Sequence, residues 1–305
     1  MRTLVFCAVL GALATDPAWA EGLPELRSRA AVVLDATTGD AIFSKAADEI
    51  RPIASTPKIF VARAVRKRLD LNGWTEITKV DARYAAGGAR TRLDIGQIFR
   101  NKDLLRAMLI ASDNRAPTAL ARAAGMAPDE LVAAMNAVAR DLHLVRTKLT
   151  DPTGLRGNLS TAHEMALALR AALDDDVLRS IMRQDEADIE SRDHYTRIHY
   201  GSTNAPLVAK QWDVIGGKTG YTKQAGYCFI TGVQVDDRTL VMALLGADDK
   251  MSRFGDFNRL AQWIDRGAPG AHKADPRRKE TPIPSAQRTA IDPPDAGPRL
   301  AGKRP

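Results

Sequence analysis

Apolar positions fall into three regimes along the chain. Near the start, "AAVVLDA" is a β-branched run, "TTGD" a turn and "AIFSK" a second short strand, which together predict a hairpin. Apolar residues then recur at spacings of three and four, as in "ELVAAMNAVARDL", and predict helices over 57–69, about 103–111, 116–124, 129–142, 161–173 and 176–183. From Trp212 the pattern returns to strands: "WDVIGGKTGYT", "GYCFITGVQV", the turn "DDR", and "TLVMALLGA". A last amphipathic helix, "RFGDFNRLAQWIDRG", stops at Gly267, a helix-ending residue. Strands at both ends around a helical middle predict one α+β domain, with an antiparallel sheet built from both chain ends, flanking helices and a helical subdomain.

Two segments stand outside that body of residues 21–267. Arg2, the apolar run "TLVFCAVLGALA" and the small-x-small site "AWA" predict a secretory signal over 1–20, too short to span a bilayer. Residues 268–305 contain eight of the sixteen prolines and eight Lys/Arg against four Asp/Glu. This segment has too little apolar surface to order itself and reads as a disordered basic tail. It lacks the apolar stripe of an interfacial anchor, and no later apolar run approaches a membrane span.

With 305 residues, 45% of them apolar, the chain can bury a sizeable core. The formal charge of +7 bears on association with anionic surroundings and not on fold. Cys7 leaves with the signal, so Cys228 is the single cysteine of the mature chain and reads as a buried, inert thiol. His143, His163, His194, His199 and His272 lack ligand spacing, and no metal or cofactor is expected.

Candidate chemistry begins at "IASTPKIF". Ser55 and Lys58 stand at i and i+3, on one helical face about 5–6 Å apart at Cβ. Ser55 fits a helix N-cap and Pro57 a first turn, so the stretch has an ordinary structural reading too. A serine hydroxyl needs a base before it becomes a nucleophile, and a lysine can serve once burial and a nearby cation lower its pKa. Ser112-Asp113-Asn114, between "LLRAMLIA" and "APTALARAA", offers a second hydroxyl and an amide, or a simple helix cap. Lys218-Thr219-Gly220 in "VIGGKTGYT" could bind a carboxylate, with Gly220 allowing close approach of a substrate backbone. A nucleotide P-loop would need glycine where Trp212 stands.

Ser-x-x-Lys, Ser-x-Asn and Lys-Thr-Gly in this order are the motifs of penicillin-binding proteins and class A β-lactamases. With "DPTGL", "NLSTAHEMALAL" and "AGYCFITGV", the chain resembles the low-molecular-mass penicillin-binding proteins of the D-alanyl-D-alanine carboxypeptidase family over residues 25–267. "SDNRAP", "STNAPLV" and "DFNRLAQWID" are most similar to the endopeptidases of the penicillin-binding protein 7 type. The resemblance implies a β-lactamase/transpeptidase-like fold and a periplasmic serine peptidase acting on D-Ala-D-Ala bonds of peptidoglycan. Ser55 would be the acyl-ester nucleophile, Lys58 the proton acceptor and Ser112 the proton relay. Asn114, Lys218, Thr219 and Gly220 would bind substrate, and Lys218 would hold Lys58 neutral. The Ser55 and Tyr221 backbone N–H groups would form the oxyanion hole. Peptidoglycan peptides and, as covalent inhibitors, β-lactams are the implied partners, with no nucleic acid. A class A-like β-lactamase would need a glutamate to activate water, for which Glu164 is the best candidate, although it lies in a helical run. An inactive wall-binding scaffold is the non-enzymatic alternative.

Overall fold

A computed structural model of the chain describes residues 22–268. The chain divides into two units, residues 1–272 and 273–305, and the described residues all belong to the first. The expected signal and, apart from Ala268, the expected tail lie outside the described residues.

In chain order the elements are β1 (Ala30–Asp35), β2 (Ala41–Lys45), β3 (Arg51–Pro52), α1 (Lys58–Arg66), β4 (Trp74–Glu76), α2 (Lys79–Ala85) and β5 (Ile98–Arg100). Then come α3 (Asn101–Ile110), α4 (Ala116–Ala123), α5 (Pro128–Asp141), β6 (Leu159–Ser160), α6 (Ala162–Leu173) and α7 (Asp176–Met182). The last are β7 (Glu186–Glu190), β8 (Arg197–Gly201), α8 (Ala205–Ala209), β9 (Asp213–Thr222), β10 (Gly226–Val235), β11 (Arg238–Ala247) and α9 (Ser252–Asp265).

The main sheet is antiparallel with order β2-β1-β11-β10-β9, so it draws on both chain ends as the hydrophobic pattern predicts. Its central strands are apolar on both faces because both are covered. Along β1, Val32 and Leu34 enter one core with α1 and α6, while Ala31 and Val33 enter another with Phe254, Phe257 and Leu260 of α9. That alternation is the period of two of a pleated strand. Helix α1 lies inside the helical layer, with Ile59, Phe60, Val61, Ala62 and Val65 buried among α3, α4, α5 and α6. Gly267 takes φ +87 and donates its N–H to Ile264 O, ending α9 as its position suggests.

Three differences from the sequence reading matter for the site. First, Ser55 is not the cap of α1: the helix starts at Lys58 with Pro57 at the cap position and no side-chain cap bond. Second, residues 70–102 and 184–211, where the hydrophobic pattern predicts no element, carry two hairpins, β4–β5 and β7–β8, and the helices α2 and α8. Two- and three-residue strands such as β3, β4 and β5 are too short to show a period. The β7–β8 hairpin does alternate, with Ala187, Ile189, Ile198 and Tyr200 inward. Third, none of Ser112, Asp113 and Asn114 caps α4: the helix starts at Ala116 with Arg115 at the cap position and no side-chain cap bond, and Asp113 accepts from Arg115 N–H in the turn before it.

Candidate active site

The chain reaches Ser55 through a strained turn. Ala54 has φ +47, a left-handed conformation that costs a non-glycine residue roughly 1 kcal/mol or more. Residues 54–57 then form tight i to i+3 bonds, Thr56 N–H to Ile53 O and Lys58 N–H to Ser55 O, feeding α1. Two glycines from distant segments close on this turn. A Cβ at Gly154, which has φ +86, would stand 2.6 Å from Ser55 Cα. One at Gly220 would stand 2.6 Å from Ser55 N and 2.9 Å from Ala54 Cβ. The close approach that Gly220 permits is therefore to the serine's own backbone, where the sequence suggested a substrate backbone. Gly220→Ala is expected to displace Ser55 and slow its acylation ~100-fold, the scale of a 1 Å misplacement. The labelling rate with a fluorescent penicillin, measured beside a melting curve, checks this.

Lys58 is fully buried, and its Nζ faces four oxygens: Ser55 Oγ at 3.1 Å, Ser112 O at 3.1 Å, Ser112 Oγ at 3.0 Å and Asn114 Oδ1 at 2.6 Å. Either form of the amine fills only three hydrogen-bonding positions, and of the four oxygens only the two hydroxyls could donate to the lone pair of a neutral amine. Burial lowers the Lys58 pKa from 10.5 to about 7, against the opposing charges of Asp113 and Asp151. Desolvation, one of the two causes expected from the sequence, thus leads.

Lys218 is also buried, and it stands behind the groove and not in it. Its Nζ donates to Thr219 O at 2.8 Å, and its pKa is lowered by burial, then by Lys58, then by Arg253. A direct bond from Lys218 to a substrate carboxylate, as expected from sequence, is not what this position offers. The buried cation that does line the groove is Arg253 at the start of α9. It donates to Gly220 O and Cys228 O, and its Nε lacks a partner among the described residues.

The groove holds about 880 Å³. Ser55, Ser112, Asn114, Thr219, Gly220 and Tyr221 all line it, so three segments far apart in sequence converge as the motifs predict. Asn114 spends Oδ1 on Lys58 and keeps Nδ2 for the groove side, against Gly88. The Thr219 hydroxyl donates to Thr203 Oγ1 at 2.7 Å. Tyr221 is 53% exposed and its ring stacks on Tyr227 at 4.2 Å. Strand β9 is the outer strand of the sheet, so one row of its backbone groups has no strand partner.

Sequence reasoning passed over several residues here. "DPTGL" was noted without a role, yet Thr153 O accepts from Ser55 Oγ at 3.2 Å, and Asp151 holds that loop by accepting from Thr153 Oγ1 and Leu155 N–H. Thr203, in the quoted "STNAPLV", was legible in the same way. Arg253 gave no signal, being one more polar residue at an amphipathic helix start. Glu164 is remote from the groove lining and accepts from Arg146 N–H and the Thr147 hydroxyl. Burial pushes the Cys228 thiol up to about 11, which fits an inert core residue. His163, His194 and His199 lie near surface carboxylates, and His272 is outside the described residues. Among the described residues, no group of three or more His, Cys, Asp or Glu could hold a metal ion.

The family described as D-alanyl-D-alanine carboxypeptidase matches residues 17–249. A D-alanyl-D-alanine endopeptidase of Pseudomonas aeruginosa is 30% identical over 276 residues, covering 88% of this chain and 89% of that protein. One of Escherichia coli is 31% identical over 277 residues, covering 88% of each. The crystal structure of a D-alanyl-D-alanine carboxypeptidase from Mycobacterium tuberculosis superposes with a TM-score of 0.73 at 27% identity, covering 83% of this chain and 96% of that one.

Proposed function

Since this chain belongs to the D-alanyl-D-alanine carboxypeptidase family, and so is a serine peptidase of peptidoglycan, we propose that Ser55 carries the acyl group and Lys58 its proton. The observation that carries this reading is the neutral-favouring burial of Lys58 within 3.1 Å of Ser55 Oγ and 3.0 Å of Ser112 Oγ. Ser55 Oγ attacks the D-alanyl carbonyl while Lys58 takes its proton. The Ser55 and Tyr221 N–H groups receive the oxyanion, a contribution of ~10²–10³ per donor. As the C–N bond breaks, Ser112 passes the proton from Lys58 to the leaving amine. Water then attacks the acyl-enzyme, again giving its proton to Lys58, and Ser55 is restored. Asn114 Nδ2 holds the substrate backbone. The Thr219 hydroxyl, turning its proton away from Thr203 Oγ1, receives the leaving group's carboxylate beside the charge of Arg253.

Endopeptidase action on cross-links is the favoured specificity. Its support is the 30–31% identity to two endopeptidases over 88% of the chain, with a groove lined also by Lys223 and Lys250, which are unpaired among the described residues. Stem peptides carry carboxylates that such lysines suit. Cross-linked and uncross-linked muropeptides, incubated separately and chromatographed, test it. Cleavage of the dimers is expected, and turnover confined to monomeric pentapeptides would make it a carboxypeptidase. Penicillin is expected to acylate Ser55 and stay bound, because Glu164 is spent on Arg146 and Thr147 and, among the described residues, no carboxylate lines the groove. Rapid hydrolysis of penicillin would favour the β-lactamase reading instead. The periplasmic setting rests on residues 1–20, and N-terminal sequencing of exported protein should begin at Glu21.

A further inference from the structure

Asp113, the middle residue of the Ser112–Asn114 turn, takes no part in the chemistry above, yet it is buried with its charge. Its Oδ2 accepts from Tyr200 Oη at 3.0 Å and from Arg92 N–H at 3.0 Å, and its Oδ1 accepts from Arg115 N–H at 3.0 Å. Tyr200 reaches it from β8 and is almost wholly buried. The Arg92 guanidinium lies 4.2 Å over the Tyr200 ring and donates to His199 O, fixing the ring from its outer side. Burial and then the Asp113 charge raise the Tyr200 pKa, so the phenol remains a donor throughout the working pH range.

The turn needs holding. Ser112 sits at φ +64, unfavourable for a residue with a Cβ, and three of the four oxygens around Lys58 belong to this turn. We propose that Tyr200 is a positioning residue: through Asp113 its hydroxyl holds the Ser112–Asn114 turn around Lys58 and offsets part of the negative charge that Asp113 directs at that lysine. This rests on Lys58 acting as the base. The charged groups facing Lys58 are Asp113 on this turn, Asp151 on the loop that follows β-bridged Lys148, and Lys218 on β9 with Arg253 of α9 beyond it.

Two substitutions should act in opposite directions. Tyr200→Phe removes one of the two donors to Oδ2 and leaves Asp113 less balanced, which favours protonated Lys58. Asp113→Asn removes the charge and favours the free amine. The test is the second-order rate of Ser55 acylation by a penicillin from pH 5 to 9 for the wild-type protein and both variants. The acid limb should move to higher pH in Tyr200→Phe and to lower pH in Asp113→Asn. A displacement of about half a pH unit changes the rate on the limb about threefold. A purely structural role would lower the plateau and leave the limb in place, and that result, or movement of both limbs in one direction, overturns the proposal. If either variant fails to fold, the limb of the other decides. A wild-type protein that penicillin does not acylate would overturn the assignment of Ser55 and Lys58 itself, and this inference with it.

Discussion

Ser55→Ala is expected to lower turnover of a D-Ala-D-Ala peptide on the order of 10⁴-fold or more, and to abolish covalent labelling by penicillin. In the proposed mechanism the serine supplies the atom that forms the acyl bond, and no other hydroxyl could replace it without moving the turn. Ser112 Oγ, the other hydroxyl on Lys58, belongs to a different segment and lies across the amine from Ser55. Removal of a nucleophile typically leaves only the catalysis that binding and oxyanion contacts supply. The fold should survive. The lost hydroxyl ends one bond to Thr153 O and one of four contacts to Lys58, a net change of about 1 kcal/mol. Chromatography of the peptide products, gel fluorescence of labelled protein and a melting curve would be measured together. Full turnover by Ser55→Ala would sink the acyl-enzyme mechanism.

The second large effect belongs to Lys58. Lys58→Met should reduce acylation by ~10²–10⁴, the usual contribution of a positioned general base. It should also change how stability depends on pH. The folded protein holds Lys58 at about 7, against 10.5 for an ordinary lysine. Between those values the unfolded chain binds a proton that the folded protein does not, so stability rises with pH through that window. Across the full window this one group accounts for on the order of 5 kcal/mol, lowest below pH 7. Lys218, also lowered, contributes in the same direction. The wild-type protein should therefore gain stability between pH 7 and pH 9.5, and Lys58→Met should gain distinctly less. Denaturant unfolding of both proteins at the two pH values reads the difference. In activity the same group sets an acid limb, with wild-type acylation rising as pH passes about 7. Equal pH dependence in both proteins would mean that Lys58 is not the group that titrates.

Much of the site could be read in sequence because its chemistry is carried by short, local spacings. Ser55 and Lys58 are three residues apart, and Ser112 and Asn114 two, so each pair meets within its own turn. Convergence of the three segments followed from the sheet, whose long strands show plain apolar runs. What stayed hidden depends on tertiary placement. Ser55 fits a cap by residue type, but the clash-free space beside Gly154 and Gly220 puts it in a turn before the helix. Lys218 looks like a residue reaching for substrate, yet it stands on a strand buried on both faces and pairs with Ile230. Arg253 and Tyr200 lie in other segments from the motifs they support, and nothing local distinguishes them. The short strand pairs β4–β5 and β3–β6 exist because separated segments meet, so no periodicity announces them.

The sheet that joins both chain ends also sets an order in time. Strand β1 is made early, but its partner β11 is the last strand to be synthesised among the described residues. Pairing of segments so distant in sequence is the slow kind of contact to form. Ser55 and Lys58 are complete in the nascent chain long before Thr219, Gly220 and Arg253 exist. A chain halted anywhere before β9 has the proposed nucleophile but neither the strand that borders it nor the cation behind that strand. By the proposed mechanism, competence arrives with the final strands, and a product that ends before β9 is expected to be inert toward peptidoglycan.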